Sequence, residues 1–153
     1  MINIPHFRQT PGLCGPASLK MLLEYYGKIF TESELTDLCG ATVERGADHE
    51  QMLTAVRRIG EEPIDKEDAT FDDIRNYVDK GIPVILGWWS EDDDHYSVVC
   101  DIDDETITMM DPQLDEGLLV MPLAEFDKIW YDMEGDDRRR VDHWMLVIPS
   151  IGT

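Results

Sequence analysis

The stretch QTPGLCGPASLKMLLEYYG, residues 9–27, decides how this 153-residue chain begins to fold. Between Leu19 and Tyr26, apolar residues recur at the i, i+3, i+4, i+7 spacing of one helix face, and a glycine then ends the pattern. The spacing predicts an amphipathic helix over residues 14–26. Its first residue is Cys14, so a thiol lies where unpaired backbone N–H groups and the helix dipole favour a thiolate.

The rest of the chain places helices first and strands second. Glycines end three further helical patterns, which predict helices at 31–40, 48–59 and 70–80. Apolar runs then predict strands at 83–86, 96–100, 106–110, 118–121 and 144–148. A last helix is predicted at 122–130, followed by an exposed charged loop at 132–142. This order indicates one α+β domain over residues 1–153, with N-terminal helices packed on a mostly antiparallel sheet.

The charge balance excludes two classes of partner. The chain has 13 Lys and Arg residues against 33 Asp and Glu residues, a formal net charge of −20. Nucleic acids and anionic membranes bind clustered Lys and Arg, so we expect neither as a partner. A negative field of this size attracts cationic substrates instead, although such a surface also serves simply to keep a protein solvated.

The sequence has no recognisable targeting or membrane-spanning segment. Its first residues lack the basic and apolar parts of a signal peptide, and its longest apolar stretch, residues 82–89, is far shorter than the roughly 20 residues that cross a bilayer. Cys14, Cys39 and Cys100 are an odd number without CxxC spacing, which favours a reducing compartment over a disulfide framework. We therefore expect a cytoplasmic protein with one reactive thiol, no metal and no cofactor.

Three further residues have the chemistry that a nucleophilic Cys14 requires. His95 heads the predicted strand 96–100, where its ring can take the thiol proton and later give it to a leaving amine. Asp111 ends the next strand, and a hairpin would bring its carboxylate to His95 to fix the ring orientation. Gln9 can donate a side-chain N–H to the oxyanion formed during attack. Taken singly, each residue also has an ordinary structural interpretation, in the core, in a turn or in a loop.

These residues lie in segments that resemble the double-glycine, bacteriocin-processing peptidases of cysteine peptidase family 39, which are papain-like. The matching segments follow the family's order over nearly the whole chain: 4–9, 14–27, 45–48, 95–99, 111–112 and 144–147. The resemblance implies a papain-like core in which Cys14 is the nucleophile and His95 the general base and acid. Asp111 would orient His95, and Gln9 would donate to the oxyanion. Here the interval from Gln9 to Cys14 is one residue shorter than is usual, so a tight turn has to connect them.

The sequence therefore predicts a cysteine peptidase that cleaves a peptide or isopeptide bond in a peptide or protein substrate through a Cys14 acyl-enzyme. Two alternatives remain open. An acyl transferase shares the first half of the chemistry but passes the acyl group to an amine or thiol in place of water, as in phytochelatin synthases. A peptide-binding module would keep the fold without cleavage, although such a module is expected to lack Cys14 or His95.

Overall fold

A computed structural model describes residues 1–151, in which a six-stranded sheet carries helices on both faces. The helices are α1 (Cys14–Tyr25), α2 (Glu32–Cys39), α3 (His49–Arg58), α4 (Phe71–Val78) and α5 (Leu123–Ile129). The strands are β1 (Ile64–Lys66), β2 (Val84–Ser90), β3 (Asp93–Ile102), β4 (Thr106–Met110), β5 (Leu118–Pro122), β6 (Tyr131–Glu134), β7 (Arg139–Asp142) and β8 (Trp144–Val147). The predicted α+β class is confirmed.

The main sheet has the strand order β1-β8-β2-β3-β4-β5, and every pairing in it is antiparallel within residues 1–151. Its central hairpin, β2–β3, turns through Glu91 and Asp92, which have φ values of 48° and 71°. Two-residue turns with positive φ at both positions match the right-handed twist of the strands they join. The hairpin starts β3 earlier than expected, so His95 is the third residue of a strand and not the residue that heads it.

Side chains of the central strands alternate between two cores. Ile85 and Val98 belong to the core that β2 and β3 share with α1, α2 and α3. Val84, Leu86 and Val99 belong to the opposite core, which includes residues of α4 and α5. This period-two alternation is the pattern of strands buried on both faces. On the first face α1 packs directly against β3, which brings the start of α1 to the strand that carries His95.

The start of α1 differs from the starts of α2, α3 and α4. Those three helices begin with capping boxes, formed by Thr31 with Glu34, Asp48 with Gln51, and Thr70 with Asp73. The residue before α1 is Leu13, which provides no side-chain cap. The first backbone N–H groups of α1 therefore donate no hydrogen bond to a capping side chain. None of the helices within residues 1–151 has the length and apolar character needed to cross a bilayer.

Two parts of the predicted secondary structure are wrong. Residues 132–142, expected to form an exposed loop, make up most of the β6–β7 hairpin, in which Asp132 and Val141 are buried. The two strands of this hairpin were not predicted because they are short, have few buried residues and flank a charged turn. β1 was not predicted either, because its three residues are exposed and follow no apolar pattern. It is held by pairing with β8, which local sequence does not reveal.

Candidate active site

Cys14 is the first residue of α1 and lines a cleft of about 990 Å³. The chain reaches it through a turn in which the Leu13 N–H donates to the Thr10 carbonyl at 3.0 Å. Gly12 has a φ of +89°, and a Cβ at this position would overlap the Val43 carbonyl. Glycine is thus required both by conformation and by space. This is the tight turn that the short interval before Cys14 demands.

The His95 ring is buried between the Cys14 thiol and a carboxylate. Its Nε2 atom is 2.8 Å from Asp111 Oδ1, which leaves Nδ1 as the ring nitrogen for the thiol. Burial by itself lowers the pKa of His95, but hydrogen bonds to Asp111 and Cys14, together with the charges of both groups, raise it to about 9. The protonated ring is therefore favoured beside the sulfur, and an imidazolium is the partner that a thiolate needs.

The backbone and a tryptophan fix the orientation of this histidine–aspartate pair. The Asp111 N–H donates to the Gly117 carbonyl at 2.6 Å, and the carboxylate also accepts the Gln113 N–H at 2.8 Å. On the other side of His95, the Trp88 ring stands edge-on at 5.3 Å between centroids. The sequence analysis did not place Trp88 beside His95, because the two residues face each other only in the β2–β3 register.

Gln9 lines the same cleft as Cys14 and His95. Its backbone N–H donates to the Pro112 carbonyl at 2.8 Å, which ties this segment to the residue after Asp111. Its side-chain Nε2 makes a long contact of 3.4 Å to a neighbouring carbonyl, so the amide hydrogens can turn to a ligand at little cost. The structure thus brings Gln9, Cys14 and His95 to one cleft, with Asp111 behind the ring of His95.

A second histidine–carboxylate group borders the cleft, and it was not predicted from the sequence. His49 Nε2 is 2.6 Å from Asp132 Oδ2 and 3.3 Å from Glu134 Oε2. Burial raises the pKa of Glu134 to about 7, although the charge of His49 and the hydrogen bond from its backbone N–H act in the opposite direction. His49 and Asp132 are 83 positions apart, and Asp132 lies in the hairpin that was predicted as a loop, so no local pattern connected them.

Comparisons with known proteins agree with this architecture. Residues 1–137 match the Peptidase_C39 like family. No curated protein sequence is significantly similar to the chain. The double glycine motif protease of an AMS/PCAT transporter, solved in complex with the leader peptide, has a TM-score of 0.70 at 22% identity, with 95% of this chain and 91% of that chain covered.

Two further solved structures have the same fold. The peptidase domain of Streptococcus ComA, a bi-functional ABC transporter involved in a quorum sensing pathway, has a TM-score of 0.74 at 18% identity, covering 97% of this chain and 100% of that chain. A protein described as a C39-like peptidase from Bacillus anthracis has a TM-score of 0.75 at 17% identity, covering 100% and 98%. With the family match over residues 1–137, these likenesses confirm what the sequence segments implied: the chain belongs to the Peptidase_C39 like family.

Proposed function

We propose that the protein is a cysteine peptidase in which Cys14 attacks a peptide or isopeptide carbonyl and His95 moves the proton. Membership of a peptidase family and the fold shared with double-glycine peptidase domains support the general assignment to cysteine peptidases. One observation carries the specific assignment: the Cys14 thiol contacts a buried histidine whose other ring nitrogen is held by Asp111.

In the acylation step, the Cys14 thiolate forms a bond to the carbonyl carbon and the carbonyl oxygen becomes an oxyanion. The backbone N–H of Cys14, in a helix start without a side-chain cap, and the Gln9 amide are the donors for that oxyanion. His95 then gives its proton to the leaving nitrogen as the C–N bond breaks. The products of this step are a free amine and a thioester on Cys14.

In the deacylation step, the now neutral His95 takes a proton from a water molecule as its oxygen attacks the thioester. Collapse of the second tetrahedral intermediate breaks the C–S bond, releases the carboxylic acid product and restores the thiolate beside protonated His95. Asp111 holds Nε2 throughout, so the same ring nitrogen faces the sulfur and the reacting groups in both steps.

The walls of the cleft favour a positively charged substrate. Their lining includes eight Asp or Glu residues and two Arg residues, one of which, Arg138, pairs with Asp94 at 3.2 Å. A cleft lined mainly by one sign of charge concentrates ligands of the opposite sign. We therefore extend the proposal to peptides that carry Lys or Arg near the scissile bond.

The proposal is tested by incubating the protein with a synthetic peptide library in H₂¹⁸O buffer and analysing the products by mass spectrometry. We expect new C termini that carry ¹⁸O, and their loss with Cys14→Ala. Cys100→Ala is the matched control, since it removes a buried thiol whose pKa burial raises to about 11, and it should retain cleavage. Absence of cleavage by the wild type, or equal cleavage by Cys14→Ala, would contradict the proposal. New amide products without ¹⁸O, formed with an added amine, would instead identify an acyl transferase.

A further inference from the structure

Apart from the Cys14–His95 pair, the structure gathers a second set of ligand-type side chains, which we call the His49 cluster: His49, Asp132 and Glu134. One ligand atom from each, an imidazole nitrogen and two carboxylate oxygens, lies within 4.8 Å of the others. His49 and Asp132 are only 5% and 2% exposed, whereas Asp132 and Glu134 also border the cleft. The cluster therefore combines converging ligand atoms with access from solvent.

Hydrogen bonds and ion pairs within the described residues do not balance the charge of the His49 cluster. Asp132 Oδ1 is buried, and it has no hydrogen-bond partner among the residues that the structure describes. The close ion pairs of Asp132 and Glu134 within residues 1–151 are both with His49, so when both acids are ionised a protonated ring neutralises only one of them. A buried carboxylate without a compensating charge is costly. A divalent cation would supply the missing positive charge.

Neighbouring groups fix the positions of the ligand atoms. The His49 ring stacks on Trp144, with 3.9 Å between centroids and 7° between planes. The backbone N–H of His49 donates to Glu134 Oε1, which leaves Oε2 directed toward the ring nitrogen. Gly87 in β2 leaves the space that the Asp132 carboxylate fills, because a Cβ at Gly87 would overlap it. These contacts restrict how far the three ligand atoms can move apart.

We propose that the His49 cluster binds a divalent cation of the Zn²⁺ type through His49 Nε2, Asp132 Oδ2 and Glu134 Oε2. An imidazole nitrogen with carboxylate oxygens suits Zn²⁺, whereas Ca²⁺ and Mg²⁺ prefer oxygen ligands alone. With metal–ligand distances near 2.0–2.2 Å, tetrahedral ligand atoms lie about 3.3 Å apart. The His49–Glu134 separation is already 3.3 Å, and the 2.6 Å His49–Asp132 separation has to widen to a similar value when the cation binds.

The site is separate from the reacting thiol. Tyr96 lies between them, because its ring is edge-on to His49 at 6.2 Å between centroids and also borders the space beside Gly15 in α1. The cation would join the first residue of α3 to β6 and so fix one wall of the cleft. The inference therefore goes beyond the proposed peptidase mechanism and does not depend on it.

The test is a zinc titration of the full chain carrying Cys14→Ala, since a cysteine–histidine pair would itself bind zinc. After treatment with EDTA and its removal, isothermal titration with ZnCl₂ should show one specific site. Adding Asp132→Asn should weaken zinc binding by at least about tenfold. Asp136→Asn is the matched control, since Asp136 is an exposed cleft residue of the same hairpin outside the cluster, and it should leave zinc affinity unchanged.

Asp132 is buried, so Asp132→Asn can also lower zinc affinity by disturbing the fold. A variant of a more exposed ligand separates these two causes. The Glu134 side chain is 15% exposed, so Glu134→Gln should keep the near-UV circular dichroism spectrum while also losing at least about tenfold in zinc affinity. No zinc binding by the Cys14→Ala protein, or equal affinity in the cluster variants and Asp136→Asn, would overturn the proposal. Specific zinc binding by the Cys14→Ala protein, together with no peptide cleavage by the wild type, would contradict the proposed function and leave the zinc site standing.

Discussion

Two histidine–aspartate pairs border one cleft, and the third group beside each pair makes them chemically different. His95 is 2.8 Å from Asp111, His49 is 2.6 Å from Asp132, and both rings are 5% exposed. The third group is a thiol for His95 and a second carboxylate, Glu134, for His49. The first arrangement suits proton transfer to and from sulfur, and the second suits a cation. A buried histidine–aspartate pair therefore does not identify a nucleophilic site until its third neighbour is known.

Removal of His95, the partner of the Cys14 thiol, should give the strongest change. Because the pKa of His95 is raised to about 9, its ring stays protonated between pH 6.5 and 9, where an ordinary histidine becomes neutral. The imidazolium is also present at pH 6, and its positive charge beside the sulfur favours the thiolate, so iodoacetamide should label Cys14 rapidly at that pH. In His95→Ala, an ordinary thiol with a pKa of about 8.5 would be only about 0.3% thiolate at that pH. We expect labelling at pH 6 to slow about a hundredfold, measured by mass spectrometry of the Cys14 peptide.

Two kinds of control accompany this measurement. Burial raises the thiol pKa of Cys39 to about 12 and of Cys100 to about 11, so both should stay unlabelled at pH 6. His143→Gln changes a histidine that stacks on Trp130 in the opposite core, and it should leave Cys14 labelling unchanged. Equal labelling of Cys14 in wild type and His95→Ala would show that His95 does not favour the Cys14 thiolate. His95 would then have no role in thiol chemistry that distinguishes it from His49.

The two pairs also differ in how far they were predictable. Cys14 and Gln9 belong to one short stretch, and the sequence predicts His95 and Asp111 at the ends of two consecutive strands, so a simple hairpin argument relates them. The resemblance to a known family covered the same residues. Glycines likewise predicted where helical patterns end, as at Gly40, which follows α2 in the left-handed conformation.

The His49 side was not predictable by these means. His49 follows the cap of α3, and its partner lies 83 residues later in a charge-rich segment. Only the packing of the β6–β7 hairpin beside the sheet brings Asp132 to it, and long-range packing leaves no fixed spacing in the sequence. The same holds for Trp88, whose contact with His95 depends on strand register. Sequence patterns thus captured the site built from neighbouring elements and missed the one built across the fold.

A smaller effect, on stability, tests the packing on the carboxylate side. Gly87 does not have a positive φ, so alanine is strained there only by the overlap of its methyl group with the Asp132 carboxylate and by close contact with the Trp144 ring. Gly87→Ala should lower the free energy of unfolding by about 1–3 kcal/mol. In an Asp132→Ala background the same change should cost less than about 1 kcal/mol, since the carboxylate no longer occupies the space.

The wild type, Gly87→Ala, Asp132→Ala and the double variant form a double-mutant cycle. Urea unfolding of these four proteins, in buffer with EDTA, measures the coupling energy between Gly87 and Asp132. The residual cost in the Asp132→Ala background reports on Trp144, whose ring carbon would lie 3.3 Å from the new Cβ. Equal costs of Gly87→Ala in both backgrounds would mean that Gly87 does not shape the position of the carboxylate. The space at Gly87 in β2 would then not help to position the carboxylates of the His49 cluster.

A weaker dependence is expected on the charges of the cleft, through which the carboxylates on one side can influence catalysis on the other. At low salt we expect peptides with Lys or Arg beside the scissile bond to be cleaved about tenfold faster than matched peptides with Asp or Glu, because most of the charged residues that line the cleft are acidic. At 0.5 M NaCl the ratio should fall to about twofold, since screening shortens the range of exposed charges. Asp136→Asn, which removes one exposed charge from the hairpin wall, should reduce the low-salt ratio slightly and leave the high-salt ratio unchanged. Equal rates for the two peptide classes at low salt would show that the field of the hairpin side does not reach the thiol, and that shape or hydrogen bonding selects the substrate instead.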